Sequence, residues 1–430
     1  MAAAHTYRYP FASRVDAPAA RVATALEGTA DDLFFEGRPR SPAAMARALL
    51  VVAGVVRTRF FRPTSEALRD PVVTSGGGRL RWEGFSGCNG AYARLDLDAA
   101  AMDCDLRGRG TTNVDFNASL LTALGRVRDA DALAFRVGGR GVAVDAGVET
   151  IVERKVALPA RWLNGFCEVQ AVQPRLAEVV TLSPREADAL FREAPKGRET
   201  FLSRRGRSWR WGRRGEVRVG GAERLAALAP VLRDASSVAV SADDSGATAW
   251  RAETDFGRLT LVLSPATDRG FSGEGQALAK LAGPVDEAAV EAVARSLRWS
   301  GGVDVGAVAR EAALSEGAVE SALAVLGSRG VAGYDAAEGR YFHRVLPFDR
   351  GRVGANQPRL KAAGPLAPRV TVLKRDGVSV DASVPGSGGA SYLVRLRPDG
   401  DRCNCPWGVR HAGERGPCKH VLAARTAAES

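Results

Sequence analysis

Apolar and polar positions change period several times along this chain, and each change marks an element. The run SPAAMARALLVVAGVV, from Ser41, is apolar on almost every face and reads as a buried helix, with Ser41 and Pro42 at its start. The preceding ADDLFFEGRPR reads as a loose connection. From about residue 78 the pattern becomes strand-like. RLRWEGFSG and AYARLDLD alternate, with Arg94, Asp96 and Asp98 on one side and Leu95 and Leu97 on the other. TTNVDFNASLLTALG predicts a strand and then a helix beginning near Asn117. ALAFRVGGRGVAVDA predicts a hairpin turning through Gly138, Gly139 and Gly141. A strand, a break at Pro159 and a buried helix follow in ETIVERKVALPARWLNGFCEVQAVQ. In LSPREADALFREA, Ser183 and Glu186 have capping-box spacing, and Ala187, Leu190 and Phe191 form the apolar side.

After residue 200 the pattern is interrupted by RRGRSWRWGRRGEVR, seven Arg against the single Glu216, with Trp209 and Trp211 interleaved. Arg204, Arg205, Arg207, Arg213 and Arg214 could clamp phosphates while the indoles stack on bases. Equally, Trp209, Trp211, Val217 and Val219 could be the inward side of a strand whose Arg residues face water. Helical GAERLAALAPVLRDA, three strand-like runs and the helix DEAAVEAVARSLRW carry the pattern to about residue 299. One echo is visible: GFSGCNGAYARLDL from Gly84 and GFSGEGQALAKLAG from Gly270, which a duplicated unit would explain.

Residues 303–348 read as helix, turn, helix and then a hairpin, the order of a winged-helix domain. Val308, Leu314, Val319, Leu323 and Leu326 are its expected core, closed by Tyr334 and Phe342 from the wing. The second helix carries Glu316 and Glu320 rather than basic or amide side chains. That favours protein docking over reading a DNA groove, with Arg340, His343 and Arg344 on the wing as candidates for backbone contact. DRGRVGANQPRLKAAGPLAPR, from Asp349 to Arg369, reads as a basic linker that includes Arg350 and Arg352. A small β unit then leads into DRCNCPWGVRHAGERGPCKHVLAA.

Composition narrows the picture. The 430 residues suffice for several domains with cores of their own. The net charge of +11, from 60 Lys and Arg against 49 Asp and Glu, favours anionic partners but is modest for this length. Six Cys, three of them at positions 403, 405 and 418, do not form a disulfide framework and suit a reducing compartment. The start lacks a signal-peptide pattern, and no apolar run is long enough to span a bilayer, so a cytoplasmic protein without membrane partners is expected.

The C-terminal cysteines carry the strongest chemistry. Cys403 and Cys405 are two apart, Cys418 and His420 are two apart, and twelve residues rich in Gly and Pro lie between the pairs. Three thiolates and one imidazole complete a tetrahedron, the signature of one structural Zn²⁺ with no open position for activated water. A strand end would place Cys403 and Cys405 on one face with Asn404 turned away. A helix over KHVLAARTAAE would hold Cys418 and His420 in its first turn. His411 lies in the loop at poorer spacing.

C-x-C, a variable gap and C-x-H after short strands, from Tyr392 through Leu422, resemble a SWIM-type zinc finger of the bacterial kind. The resemblance implies zinc on Cys403, Cys405, Cys418 and His420, with DNA or protein contact. Some bacterial relatives accompany MoxR-type ATPases and von Willebrand A proteins, which implies a protein partner in an ATPase-containing assembly.

Other motifs carry less. RGFSGEGQ lacks the ending of a nucleotide loop. Asp103, Asp105 and Asp115 fit strand alternation, and Cys88, Cys104 and Cys167 fit buried apolar positions. No nucleophile–base pair stands out, so catalysis is not expected, although a site within residues 60–300 stays open. The expected architecture is α+β and multidomain. It comprises an α+β domain over 1–200, a second α+β unit over 201–300, a winged-helix-like domain over 301–348, the linker over 349–369, and a SWIM-like zinc finger over 370–430. The expected function is macromolecular recognition, chiefly protein–protein assembly, with DNA binding as the alternative.

Overall fold

The computed structural model describes residues 33–58, 71–346 and 358–429, apart from 106–107, 114–115, 140, 147–149, 155–159, 198, 266–269, 272–274, 276, 279–285, 387 and 414. The break expected at Pro159 and the candidates Asp115, Arg350 and Arg352 lie outside the described residues. The chain is a mixed α/β protein with several sheets.

The largest sheet has eight strands. In spatial order they are Ala177–Leu182, Ala235–Ala242, Thr248–Thr254, Gly257–Leu263, Ala91–Asp98, Arg79–Phe85, Val72–Gly76 and Gly110–Asn113, every neighbour antiparallel. The sheet therefore takes strands from both sides of residue 200. At its centre Leu259 faces Leu95 and Leu261 faces Ala93. A strand, a helix and a three-stranded meander occur in that order twice. They are Leu33–Pro39, Pro42–Arg57 and 72–98 first, then Ala177–Leu182, Pro184–Arg192 and 235–263. The two GFSG stretches do not occupy equivalent places in these units. They touch each other instead, with the Phe271 amide donating to the Asn89 carbonyl oxygen at 2.8 Å.

Helix Pro42–Arg57 has twelve buried residues and lies on the strands Arg79–Phe85 and Ala91–Asp98. Asn117 caps Ala118–Arg126, and the Ser183–Glu186 capping box forms at the start of Pro184–Arg192. The segment LFFEGRP is a strand rather than a loose connection. It sits inside a five-stranded sheet between Met102–Asp105 and Leu133–Gly138, with Phe35 buried. Its flanking charges and Pro39 suggested a loop. Two antiparallel partners, neither adjacent in sequence, supply the hydrogen bonds that make it a strand.

Helices Glu287–Ser296, Val305–Ala312 and Glu316–Ser328 share one core of Val293, Val308, Val319, Leu323 and Leu326, followed by the hairpin Ala332–Asp335 and Arg340–His343. The hairpin closes this core through Tyr341, not through Phe342 as alternation suggested. Phe342 turns to the large sheet, where the Arg81 guanidinium lies 3.8 Å from its ring centroid. Around it Arg81 and Arg94 each hold Asp96 at 2.7 Å, Arg94 reaches Asp335 at 3.1 Å, and Arg344 pairs with Glu83. All of these side chains are buried. Ion pairs out of water cost desolvation that only close, multiple partners recover. The polar strand face of Arg94 and Asp96 is thus covered by the hairpin.

The C-terminal unit has its own core, joined by Leu278. Strands Thr371–Asp376, Ser379–Pro385, Ser391–Leu396 and Arg402–Cys403 form a four-stranded sheet under helix Lys419–Glu429. The second half of the expected linker is helical, Pro358–Ala363 and Gly364–Arg369, and packs on that helix through Leu360, Ala363 and Leu366. Those three apolar residues fall at three-residue spacing, a helical period that the surrounding Gly, Pro and Arg obscure. Among the described residues no helix is long and apolar enough to cross a membrane.

Candidate metal centre

The chain folds so that its two Cys/His pairs face each other. Cys403 closes the short strand Arg402–Cys403, which pairs with Val394 and Arg395. Asn404 then points away, its side-chain oxygen accepting from the Leu393 amide at 2.8 Å. Cys405 caps helix Pro406–His411, its sulfur accepting from the Gly408 amide at 3.2 Å. Cys418 stands just before helix Lys419–Glu429, its sulfur accepting from the Val421 amide at 3.5 Å. A further amide, that of Cys405, donates to the Cys403 sulfur at 3.5 Å. Backbone dipoles aimed at three sulfurs favour the thiolate form of each.

The four ligand atoms all lie within 4.8 Å of one another, and all four residues are buried. The His420 Nδ1 atom is 4.0 Å from the Cys403 sulfur and 3.9 Å from that of Cys418. A tetrahedron with metal–sulfur bonds of about 2.3 Å has edges of roughly 3.8 Å, so an ion fits the centre. Tyr392 orients the imidazole, with ring centroids 4.7 Å apart. Hydrogen bonding from the Cys403 thiol brings Cys418 down to about 4, while the same bond pushes Cys403 up. Burial pushes Cys405 up. A cation at the centre of the cluster would let all three sulfurs ionise together.

Gly408 makes the loop possible. A Cβ there would lie 2.2 Å from the Cys403 carbonyl oxygen, so only glycine lets the helix start against the strand end. Trp407, one residue earlier, is held between two guanidinium groups, Arg359 at 4.9 Å and Arg415 at 4.5 Å from its ring. Arg359 also donates to the carbonyl oxygens of Arg415 and Pro417, at 2.6 and 2.9 Å. The supposed linker therefore clamps the ligand loop. Its charge pattern hid this role, and nothing short of the folded chain pairs Arg359 with Trp407. His411 stacks on Trp407 at 4.4 Å and is not part of the ligand cluster.

The remaining candidates scatter. Arg204, Arg205, Arg207, Arg213 and Arg214 are exposed on the three-stranded sheet of Thr200–Arg205, Ser208–Gly212 and Val217–Val219. Trp209 and Trp211 pack against the main core, and the Trp211 indole donates to the Leu190 carbonyl oxygen at 2.8 Å. Both indoles are half-buried in this position. Arg340 is exposed. Arg344 is fully buried against Glu83 and has no access to a phosphate backbone. His343 accepts from the Trp299 amide at 2.8 Å. Asp103 and Asp105 are exposed, and Cys88 and Cys104 are only half-buried, unlike Cys167.

No family model matches the chain, and no curated protein matches it. Among solved structures it is similar to the Proliferating Cellular Nuclear Antigen from Entamoeba histolytica, with a TM-score of 0.37 and 11% identity over 54% of this chain and 98% of that one. A likeness at that level carries no argument.

Proposed function

We propose that residues 358–429 form a SWIM-like finger that one structural zinc ion holds together, and that the finger docks a protein partner within a larger assembly. The observation that carries the metal reading is the closed set of Cys403, Cys405, Cys418 and His420, buried with no acidic or water-facing ligand among them. Thiolate and imidazole donors select zinc over magnesium or calcium. When bound, the ion supplies a cross-link between strand end and helix start. Four protein ligands leave no position at which it could activate water.

Docking is favoured by what the finger exposes. Of the five large apolar side chains exposed among the described residues, four (Val372, Leu373, Val378 and Val409) belong to this unit, the fifth being Val179. Val372 and Leu373 lie on the edge strand Thr371–Asp376, exposed at every position and paired on one side only. An apolar, unpaired edge is a template for an added strand. The two helices and hairpin over 305–343 fit a winged-helix-like arrangement, whose hairpin is turned inward onto the large sheet; this too favours docking over groove reading.

Zinc content by elemental analysis, together with capture of partners from the source cell extract with and without nuclease, tests the proposal. One zinc per chain and partners that survive nuclease are expected. Partners lost on nuclease treatment would give the DNA-binding alternative instead, and absence of stoichiometric metal would remove the finger reading itself.

A further inference from the structure

Two pockets border the cysteine cluster, and His420 lines only one of them, a space of about 440 Å³ between helix Pro358–Ala363, strand Ser391–Leu396 and the ligand loop. His420 is only 5% exposed. Its Nδ1 atom faces the sulfurs of Cys403 and Cys418, which puts Nε2 at the far end of the ring from the cluster. Nε2 is buried and has no hydrogen-bond partner among the described residues. An ion held through Nδ1 leaves the ring proton on Nε2, so this atom is a donor in need of an acceptor. Metal-bound imidazoles almost always hand that N–H to a carboxylate, a carbonyl or a water. The pocket that His420 lines is the side from which an acceptor can reach it.

The walls say which acceptor fits. Arg359 and Lys419 line the pocket, and none of its described lining residues is Asp or Glu. Much of the remaining wall is apolar or aromatic, with Tyr392 tilted on the imidazole and Pro406 and Trp407 beside it. Apolar walls with a few placed polar groups hold an apolar body and fix one polar end. A phosphate, with more charge and more lone pairs, would leave most of its oxygens against carbon. A carboxylate beside an apolar side chain matches better. The unit as a whole carries twelve Lys and Arg against six Asp and Glu over 358–429, a balance that draws an acidic segment.

We infer that this pocket takes a carboxylate side chain from an acidic segment of the docked protein. The carboxylate accepts from the His420 Nε2–H and pairs with Lys419, while a neighbouring apolar residue of the partner rests on Tyr392 and Trp407. The inference rests on the zinc-finger docking reading and names the partner's chemistry. Because the bond falls on a ligand ring, partner binding and metal retention support each other.

The test uses the full-length chain loaded with Co²⁺ in place of zinc, whose visible absorption reports on the ligand shell. Two acetylated and amidated octapeptides are titrated at constant ionic strength. One carries a Leu flanked by Glu in a Gly–Ser background, and the other has Gln at every Glu. Saturable binding of the Glu peptide with a shift of the cobalt absorption is expected. The Gln peptide should bind about tenfold more weakly, the loss of a charge-assisted hydrogen bond. Lys419→Ala should weaken the Glu peptide about threefold, and Arg207→Ala, a control for diffuse charge, should stay within about twofold. If Lys419→Ala loses metal, the Glu–Gln comparison on the wild-type chain decides. The inference is overturned if neither peptide binds, if both bind equally, if the Glu peptide binds without moving the absorption, or if inorganic phosphate moves the absorption and the Glu peptide does not. Metal content is counted on the same samples. A loaded chain that fails these titrations loses the pocket and keeps the finger, whereas a chain that takes up no stoichiometric metal loses both.

Discussion

Two regions of this protein bury polar groups, and they do so by opposite means. Between the large sheet and the hairpin, the charges of Arg81, Arg94, Asp96 and Asp335 offset one another, with a second pair in Arg344 and Glu83. The chain supplies both signs of charge. In the C-terminal unit, three sulfurs and an imidazole face one another with no opposite charge among them, an arrangement able to hold a metal ion. The surroundings differ accordingly. The sheet–hairpin seam lies against an extensive core, whereas the finger rests on a small one. A large core can carry costly buried ions; a small unit needs the binding energy of a metal to fold.

The largest effect should come from removing the metal. Structural zinc in a small domain is worth on the order of 10 kcal/mol of folding free energy. Excess chelator, or Cys418→Ser, is expected to melt residues 358–429 and leave the remainder folded. Limited proteolysis followed by mass spectrometry reads this directly, and a tail that stays protected would break the contrast. The expected loss of zinc affinity in Cys418→Ser exceeds the roughly 10- to 100-fold that losing a ligand's own hydrogen-bond partner costs.

Next is Arg344→Met, which strands Glu83 in the interior. Breaking one side of a buried pair costs about 3–5 kcal/mol. Denaturant unfolding should show that loss in the main transition, while zinc content stays at wild type. A double change, Arg344→Met with Glu83→Leu, should recover much of the loss. Failure to recover would mean that the pair does more than balance charge.

Acid should act on the seam through Asp335. Burial alone raises its carboxyl, but Arg94, Arg258 and Arg81 outweigh this and hold it well below the usual carboxylate range. A depressed carboxylate contributes stability that is complete above its unfolded value, near 4, and is lost as pH falls through that value and below. Stability of the main transition should therefore decline progressively below about pH 4. Asp335→Asn should flatten that decline while lowering stability at pH 7. An unchanged acid profile in the variant would remove Asp335 from the account.

Gly408→Ala tests the finger from its backbone. The added methyl meets the Cys403 carbonyl oxygen, and relief of the clash must displace a ligand-bearing residue. A loss of about 1–3 kcal/mol is expected, read as weaker zinc retention against a competing chelator. The smallest effect belongs to Arg207→Ala on the exposed sheet, within about 0.5 kcal/mol and silent in both metal and seam assays.

Much of the metal site was legible in the chain because its information is local. Ligand type and spacing stand in the sequence, as do the glycines that let the loop return, and strand and helix periodicity place each pair. Its supports were not legible. Arg359 looked like linker charge until folding placed it on Trp407. The same holds at the seam. Alternation in AYARLDLD located a strand and put Arg94 and Asp96 on the face opposite Leu95 and Leu97, but not what covers that face. A charged strand face reads as exposed until a distant hairpin brings Asp335 to cover it. Leu33–Pro39 was missed for a related reason: its partners, 102–105 and 133–138, are remote in sequence.

By itself the sequence determined the caps at Asn117 and Ser183, the helical and strand periods, and a Cys/His set able to hold a metal ion. Each rests on residues within a few positions of one another, where covalent geometry sets the distances. Tertiary structure alone decided that a polar strand face is interior and that a basic segment is a clamp. Those outcomes depend on pairings across scores of residues, whose free energy exists only once solvent is excluded between them.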